Sequence, residues 1–348
     1  MGSSSPVARR EADLVRRCYA GLDGTAFAAE VVAALRGLLP VDAVFFATAD
    51  PSTLLFTGAT VDAPLAAVTT AFLDNEYSGR DVNRFAALAI NAPHVATLDA
   101  ATAGRRSASP RYRDIMAPMG LGDELRAALV TPAGCWGYLC LHRADSAGGF
   151  TPAEAAMVGR MAVHLGHGIR QSLTIAAGDP VAPAGAGVIV LHPDLTVAAL
   201  TGDAERWLAA IAGENAAPGR LPMAVYAVAA RLLRLDGTLD DPVPPMVRVP
   251  RVDGGWLRLH ATHLGSDIAV IVEPAHPHAV APLLLSSLGL TPREHDVALL
   301  VLRGASTRAV ATALHLSDYT VKDYLKSIFD KTGVRSRRDL VGRFLAGG

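Results

Sequence analysis

The stretch from Leu290 to the carboxy-terminus constrains this chain more than any other, because its apolar residues keep a helical period through several short, separately capped segments. Thr291, Pro292 and Glu294 read as a helix start: an N-cap hydroxyl, a proline at the first helical position and a carboxylate at the third. Val297, Leu300 and Val301 then recur at i, i+3 and i+4, and Gly304 stops the run. Ser306 restarts it, with Val310, Ala313 and Leu314 on one face. Ser317 and Asp318 punctuate again, and the next helix carries Val321, Leu325, Ile328 and Phe329 at i, i+4, i+7 and i+8. Gly333 ends it, and Ser336 caps a last helix through Leu340, Val341 and Leu345.

Charge singles out the third of these helices. Every lysine of the 348-residue chain lies on it: Lys322, Lys326 and Lys331. The first two stand one turn apart, flanking Asp323, opposite the apolar face. Arg335, Arg337 and Arg338 follow at the start of the next helix. From Val280 onward ten Lys/Arg face six Asp/Glu, a net +4 in a chain whose total is −1, which leaves −5 for the rest. Two helices joined by a short turn, the second presenting cations, suit a helix laid in the major groove of DNA. The basic charge is concentrated where a phosphate backbone would be met. The plain alternative is a four-helix packing module with solvated basic faces.

The segment LTPREHDVALLVLRGASTRAVATALHLSDYTVKDYLKSIFDKTGVRSRRDL resembles the LuxR-type helix-turn-helix of bacterial transcription regulators. The matching positions run in register from Leu290, Thr291 and Glu294 through Gly304, Ser306, Thr320, Val321 and Lys322 to Val334 and Arg337. The resemblance implies four helices, the third reading bases and the fourth forming a dimer contact. Carried over by position, it implies that Lys322, Asp323 and Lys326 face base edges and that Arg308, Tyr319 and Thr320 hold phosphates. Ser317, Tyr324 and Arg337 complete the implied DNA-facing set. Two positions depart from the family pattern: Tyr324 stands where His is usual, and Ala309 where Glu is usual. The first alters one backbone contact, and the second removes a polar tie between helices.

The confinement of lysine to one helix also excludes chemistry. No P-loop, Schiff-base or kinase-type lysine exists before residue 322, and no G-x-S-x-G nucleophile elbow occurs. No nucleophile–base–orienter set or metal cluster assembles from the sequence, so an enzyme is not expected. Cys18, Cys135 and Cys140 form no paired spacing, as expected of thiols in a reducing cytoplasm. Cys135 and Cys140 differ by an odd number, so on one regular strand they would point to opposite faces. The opening MGSSSPVARREADLVRR lacks the apolar core of a secretory signal, and Pro6 occupies the position where a myristoylation motif needs Ser or Thr. The weakly polar run from Ala127 to Leu141 is too short to span a bilayer. A cytoplasmic protein without a membrane partner is expected.

Upstream, the pattern divides the chain at about 1–177, 183–276 and 284–348. In the first part, helices over 11–19 and 26–38 precede short strands at 43–47 and 54–57. A helix from Asp62 to about Asn75 and a loop-rich excursion follow. Helical residues 112–119 lead to a hairpin over 124–131 and 136–143, and a helix from 152 to about 172 closes the unit. This α+β order, with the phrase WGYLCLHR…FTPAE, resembles GAF domains, whose middle excursion covers a pocket on the central sheet. The pocket residues that this implies are His94, Tyr112 and Trp136; ordinary core or loop packing is the alternative for each. His164 and His167 share a helix face without a third ligand nearby, which reads as surface histidine and not as a metal site.

A Gly/Ala/Pro stretch at 178–187 reads as a linker. Beyond it come two strands, a helix holding Trp207, a helix over 224–235, and a three-stranded meander at 246–249, 256–263 and 268–273. This order resembles a PAS domain, either a ligand sensor or a dimerising spacer. His260 and His263 lie an odd number apart and make a poor ligand pair.

The whole reads as a one-component transcriptional regulator of three domains: two α+β sensor-like modules, GAF-like and PAS-like, followed by an all-α helix-turn-helix domain. The expected partners are double-stranded DNA carrying a palindromic operator, a second copy of the chain, a small-molecule effector and RNA polymerase. No cofactor is specified by the residues. A protein partner acting on purely structural modules is the competing source of control. A phosphoacceptor response regulator is disfavoured by the missing lysine, and an acyl-homoserine-lactone receptor by the presence of two modules where one is usual.

Overall fold

The computed structural model describes residues 5–175, 185–211, 220–235 and 243–345. In the first domain, α1 (Pro6–Arg17) and α2 (Gly24–Leu38) precede β1 (Ala43–Ala49) and β2 (Phe56–Val61). Then come α3 (Ala63–Ala66), α4 (Thr69–Ser78), α5 (Phe85–Ile90), β3 (Val95–Thr97) and α6 (Leu98–Thr102). The single helix expected from Asp62 is two, because the backbone leaves helical geometry at Val68. Tyr112–Met116 forms one wide helical turn and Ala117–Met119 a tight one. The hairpin β4 (Leu121–Thr131) and β5 (Gly134–Ala144) follows, and α7 (Pro152–Ile175) closes the unit.

The five strands make an antiparallel sheet in the order β2-β1-β5-β4-β3. Alternation along β1 sends Val44 and Phe46 into a core under α1, α2 and α7, and Phe45 and Ala47 to the opposite face. On β5 the alternation slips. Cys135 and Cys140 join the same core cluster despite their odd spacing, because the β4–β5 register shifts by one between Ala128/Tyr138 and Val130/Cys135. Such a bulge turns the following side chains over. Gly137 lies within it, and a Cβ there would come within 2.3 Å of the Ala47 carbonyl oxygen.

The second domain comprises β6 (Gly187–Leu191), β7 (Val197–Leu200), α8 (Gly202–Ala209), α9 (Met223–Leu235), β8 (Met246–Pro250), β9 (Trp256–Leu264) and β10 (Asp267–Pro274). Its sheet order, β7-β6-β10-β9-β8, repeats that of the first domain strand for strand. The expected linker lies largely outside the described residues. Ile189, Val247, Leu257 and Val270 bury one sheet face against the helices. Helix α9 is rich in alanine, and Ala224, Ala227, Val228 and Ala229 are all fully buried. Small side chains let it lie close between its own sheet and β2 and α4 of the first domain, so one core cluster runs through both domains.

The remaining helices are α10 (Pro277–Ser287), α11 (Pro292–Leu302), α12 (Thr307–Leu314), α13 (Asp318–Thr332) and α14 (Arg337–Leu345). The architecture is thus two α+β domains followed by an all-α domain. Helix α10 has no counterpart in the sequence reading, and it carries Pro282 inside it, which costs helix stability. It survives because both of its faces are buried: Val280 and Leu283 in the first-domain core, Ala281 and Leu285 in the helical core. Among the described residues, no helix is long and apolar enough to cross a membrane.

Candidate nucleic-acid interface

Helices α11 to α14 close around Val297, Val301, Val310, Val321, Ile328 and Leu340, all at most 2% exposed. The capping box read from sequence is present: Thr291 Oγ1 accepts from Glu294 N, and Glu294 Oε2 accepts from Thr291 N. Ser306 caps α12 through Ala309 N at 3.2 Å. His315 then takes the left-handed conformation, φ 55°, that ends the helix, and Leu316 N returns to Ala311 O at 2.8 Å. Ser317 caps α13 through Thr320 N at 3.0 Å. The turn between the two helices is therefore fixed by its own caps.

Fixing Val321, Leu325 and Ile328 in the core turns Tyr319, Lys322, Asp323 and Lys326 outward together, at i, i+3, i+4 and i+7 on one face. All four are exposed, Tyr319 by 75%. Lys322 and Lys326 form no ion pair among the described residues. Arg308 is exposed on α12. Ser317 and Thr320 lie at the start of α13, their hydroxyls 2.8 Å apart. This surface combines two cations, a carboxylate and hydroxyls on one rigid helix, a donor and acceptor set able to meet base edges and phosphates.

Two residues of the implied DNA-facing set, Tyr324 and Arg337, sit elsewhere. Tyr324 is half-buried and packs on the helical core. Arg337 donates to Ala305 O at 2.7 Å and to Thr307 Oγ1 at 3.3 Å, tying α14 to the start of α12. Lys331, exposed on α13, is engaged within the domain: its Nζ donates to Glu294 Oε2 at 2.6 Å. Glu294 also accepts from Ser327 Oγ at 2.6 Å, so the capping carboxylate clamps α11 to α13. The sequence signal for that clamp was the i, i+4 pair Ser327 and Lys331 at the border of the apolar stripe.

The three residues proposed for a first-domain pocket are not brought together. Trp136 is fully buried in the core under α7, its indole donating to Thr131 Oγ1 at 3.0 Å. His94 lies in an open groove beside α7, with Nδ1 2.7 Å from Leu88 O. Tyr112 packs beside Met116 and Leu121. A cavity on the sheet, about 30 Å³, is lined by Phe45, Phe72, Arg111, Arg126, Cys140 and His142 among others.

Residues 288–344 match the family model described as bacterial regulatory proteins, luxR family. Over 59 residues the chain is 39% identical to a protein of Streptomyces halstedii named as the HTH-type transcriptional regulator GfsR, covering 17% of this chain and 24% of that one. Over 56 residues it is 43% identical to an Aeromonas salmonicida protein named as an HTH-type transcriptional regulator in the exeN 3′ region, covering 16% of this chain and 29% of that one. The similarity thus spans about a quarter of each relative's length. A solved structure of SdiA in complex with octanoyl-rac-glycerol aligns with 100% of this chain and 97% of its own, at 12% identity and a TM-score of 0.37. The carboxy-terminal domain of this chain is a LuxR-family helix-turn-helix domain.

Proposed function

We propose that the protein is a sequence-specific, DNA-binding transcriptional regulator that binds as a homodimer to a palindromic operator. The observation that carries this reading is the exposed face of α13, where Tyr319, Lys322, Asp323 and Lys326 are presented by a helix whose other face is immobilised in the core. Lys322, Asp323 and Lys326 read base edges; Arg308, Tyr319, Thr320 and the capped Ser317 position the backbone, with half-sites one helical turn apart. Tyr324 and Arg337 contribute by holding that surface in place.

The upstream domains supply the control, as one-component input in the cytoplasm, with a small-molecule effector as the signal and RNA polymerase as the downstream partner. Helix α10 supports this coupling, because it is packed into the first-domain core and the helical core at once. A ligand acts here only through a difference in affinity between two arrangements of that junction.

Enrichment of random duplexes by the full chain, followed by fluorescence titration at fixed salt, tests the proposal. An inverted-repeat sequence bound at least a thousandfold tighter than a scrambled duplex is expected. Equal affinity for the two would refute sequence-specific recognition.

A further inference from the structure

The hairpin β4–β5 places four polar residues on the cavity face of the first sheet: Glu124 opposite His142, and Arg126 opposite Cys140. All four are nine-tenths or more buried. Cys140 Sγ lies 3.5 Å from Glu124 Oε2 and 3.3 Å from His142 Nε2. We infer that Glu124, Cys140 and His142 form a binding site for a zinc-class divalent cation, with a fourth coordination position open to the adjoining cavity.

Spacing is the first argument. Zinc held at about 2.3 Å from sulfur and about 2.0–2.1 Å from nitrogen or oxygen, in tetrahedral geometry, sets neighbouring ligand atoms about 3.5 Å apart. The two separations seen here are the edges of such a tetrahedron. Glu, Cys and His atoms within 4.8 Å of one another supply the mixed O, S and N set that suits zinc and not calcium or magnesium.

The second argument is how the ligands are held. Glu124 divides its oxygens: Oε1 accepts from Arg111 Nε at 2.8 Å and faces Arg126 Nε at 3.2 Å, whereas Oε2 faces the thiol. Arg111 is in turn held by Asn75 and the Val82 carbonyl, and Arg126 by Glu76 and the Asn83 carbonyl. The carboxylate is therefore oriented from behind, with one oxygen left for a ligand. His142 has no such explanation as a structural residue. Its Nε2 meets only the Cys140 thiol, although the side chain is buried, so this nitrogen is the one left for a cation.

Charge gives a third, independent argument. The buried carboxylates Glu76, Asp81 and Glu124 face two guanidiniums, Arg111 and Arg126, so these five groups sum to −1. A divalent cation bound to a Cys140 thiolate, with the thiol proton released to solvent, adds one positive charge and brings the set to neutrality. An anionic ligand would double the imbalance instead.

The test uses the full chain and needs no DNA, so it stands or fails separately from the proposed function. Titration with Co²⁺ is expected to reach one equivalent and to give near-ultraviolet sulfur-to-cobalt absorption with the visible bands of a tetrahedral site, displaced by Zn²⁺. Cys135→Ser should keep these bands and Cys140→Ser should lose the sulfur absorption, with circular dichroism confirming that each variant is folded. Should Cys140→Ser not fold, X-ray absorption of the zinc-loaded wild-type chain and of Cys135→Ser decides: one sulfur and one imidazole per zinc in both supports the site. No cobalt bands, sulfur-to-cobalt absorption that survives Cys140→Ser, or a zinc shell without sulfur overturns it.

Discussion

Asp50 and Arg248 form a buried ion pair that joins the first two domains: Asp50 Oδ2 accepts from Arg248 Nε at 2.8 Å, and Oδ1 from Nη2 at 2.6 Å. Asp50 is fully buried and Arg248 6% exposed. Arg248 Nη1 also donates to the Ala279 carbonyl at 2.6 Å, in the first turn of α10. One guanidinium thus touches the end of β1, the edge strand β8 that carries it, and the helix leading to the DNA-binding domain. Removing one member of a buried pair leaves the other charge uncompensated, which typically costs 3–5 kcal/mol. Arg248→Ala and Asp50→Ala should each lower the unfolding free energy by about that amount. The double variant should cost much less than their sum, as read by urea denaturation in a double-mutant cycle. Additive losses would mean that the pair does not couple the domains.

Glu294 offers a pH test confined to the helical domain. Burial pushes its carboxyl up, but hydrogen bonds from Lys331, Ser327 and Thr291 outweigh that and draw it down to about 2. A carboxyl lowered in the folded state adds stability that is fully present above its unfolded value of about 4.3 and is lost as pH falls towards the folded value. The wild-type advantage over Glu294→Gln should therefore be constant from pH 7 to about 5 and shrink between about pH 4.5 and 2. An order of 1–3 kcal/mol is expected at neutrality. Thermal unfolding of both full chains across this range measures it. A difference independent of pH would contradict the charged clamp.

If the exposed face of α13 meets DNA as proposed, Lys322→Ala and Lys326→Ala should each cost on the order of 1–3 kcal/mol of specific binding while leaving the melting temperature unchanged. Arg337→Ala should do the reverse in origin: the Ala305 carbonyl loses its donor, the domain destabilises, and binding falls only as folding does. Titration of an enriched duplex at several salt concentrations, beside thermal melts, separates the two. Unchanged affinity for both lysine variants would remove α13 from the interface.

The helical domain was legible because its signals are local. Thr291 with Glu294, Ser306 and Ser317 each cap a helix within three residues of themselves. The periods of Val321, Leu325 and Ile328 then decide which side of α13 faces out. Signals that depend on tertiary context were not legible. Helix α10, with Pro282 inside it, draws its stability from two separate cores. The pairing of Lys331 with Glu294 likewise depends on how α11 packs against α13. The GAF resemblance implies His94, Tyr112 and Trp136 as pocket residues, yet the sheet pairing, which sequence spacing does not encode, sets Glu124, Cys140 and His142 together. The repeated strand order of the two sheets was likewise visible only as two similar successions of strands.

The bulge on β5 provides the last test, of packing rather than charge. Spacing alone places Cys135 and Cys140 on opposite faces; the one-residue slip near Gly137 puts both in one cluster. At Gly137 a Cβ would stand 2.3 Å from Ala47 O on β1 and 2.7 Å from Ile169 Cδ1 on α7. The isoleucine methyl can rotate away, but the carbonyl belongs to the backbone of β1, paired on both sides, and cannot move without breaking the β1–β5 ladder. Overpacking of this kind typically costs 1–3 kcal/mol. Gly137→Ala should fall at or above the upper end of that range, because the closest atom is backbone. By contrast, Gly159→Ala on the same α7 meets nothing nearer than 3.8 Å and should be neutral or slightly stabilising through helix propensity. Chemical denaturation of the two variants side by side reads the difference; equal stabilities would mean that β1 and β5 are not held at this separation.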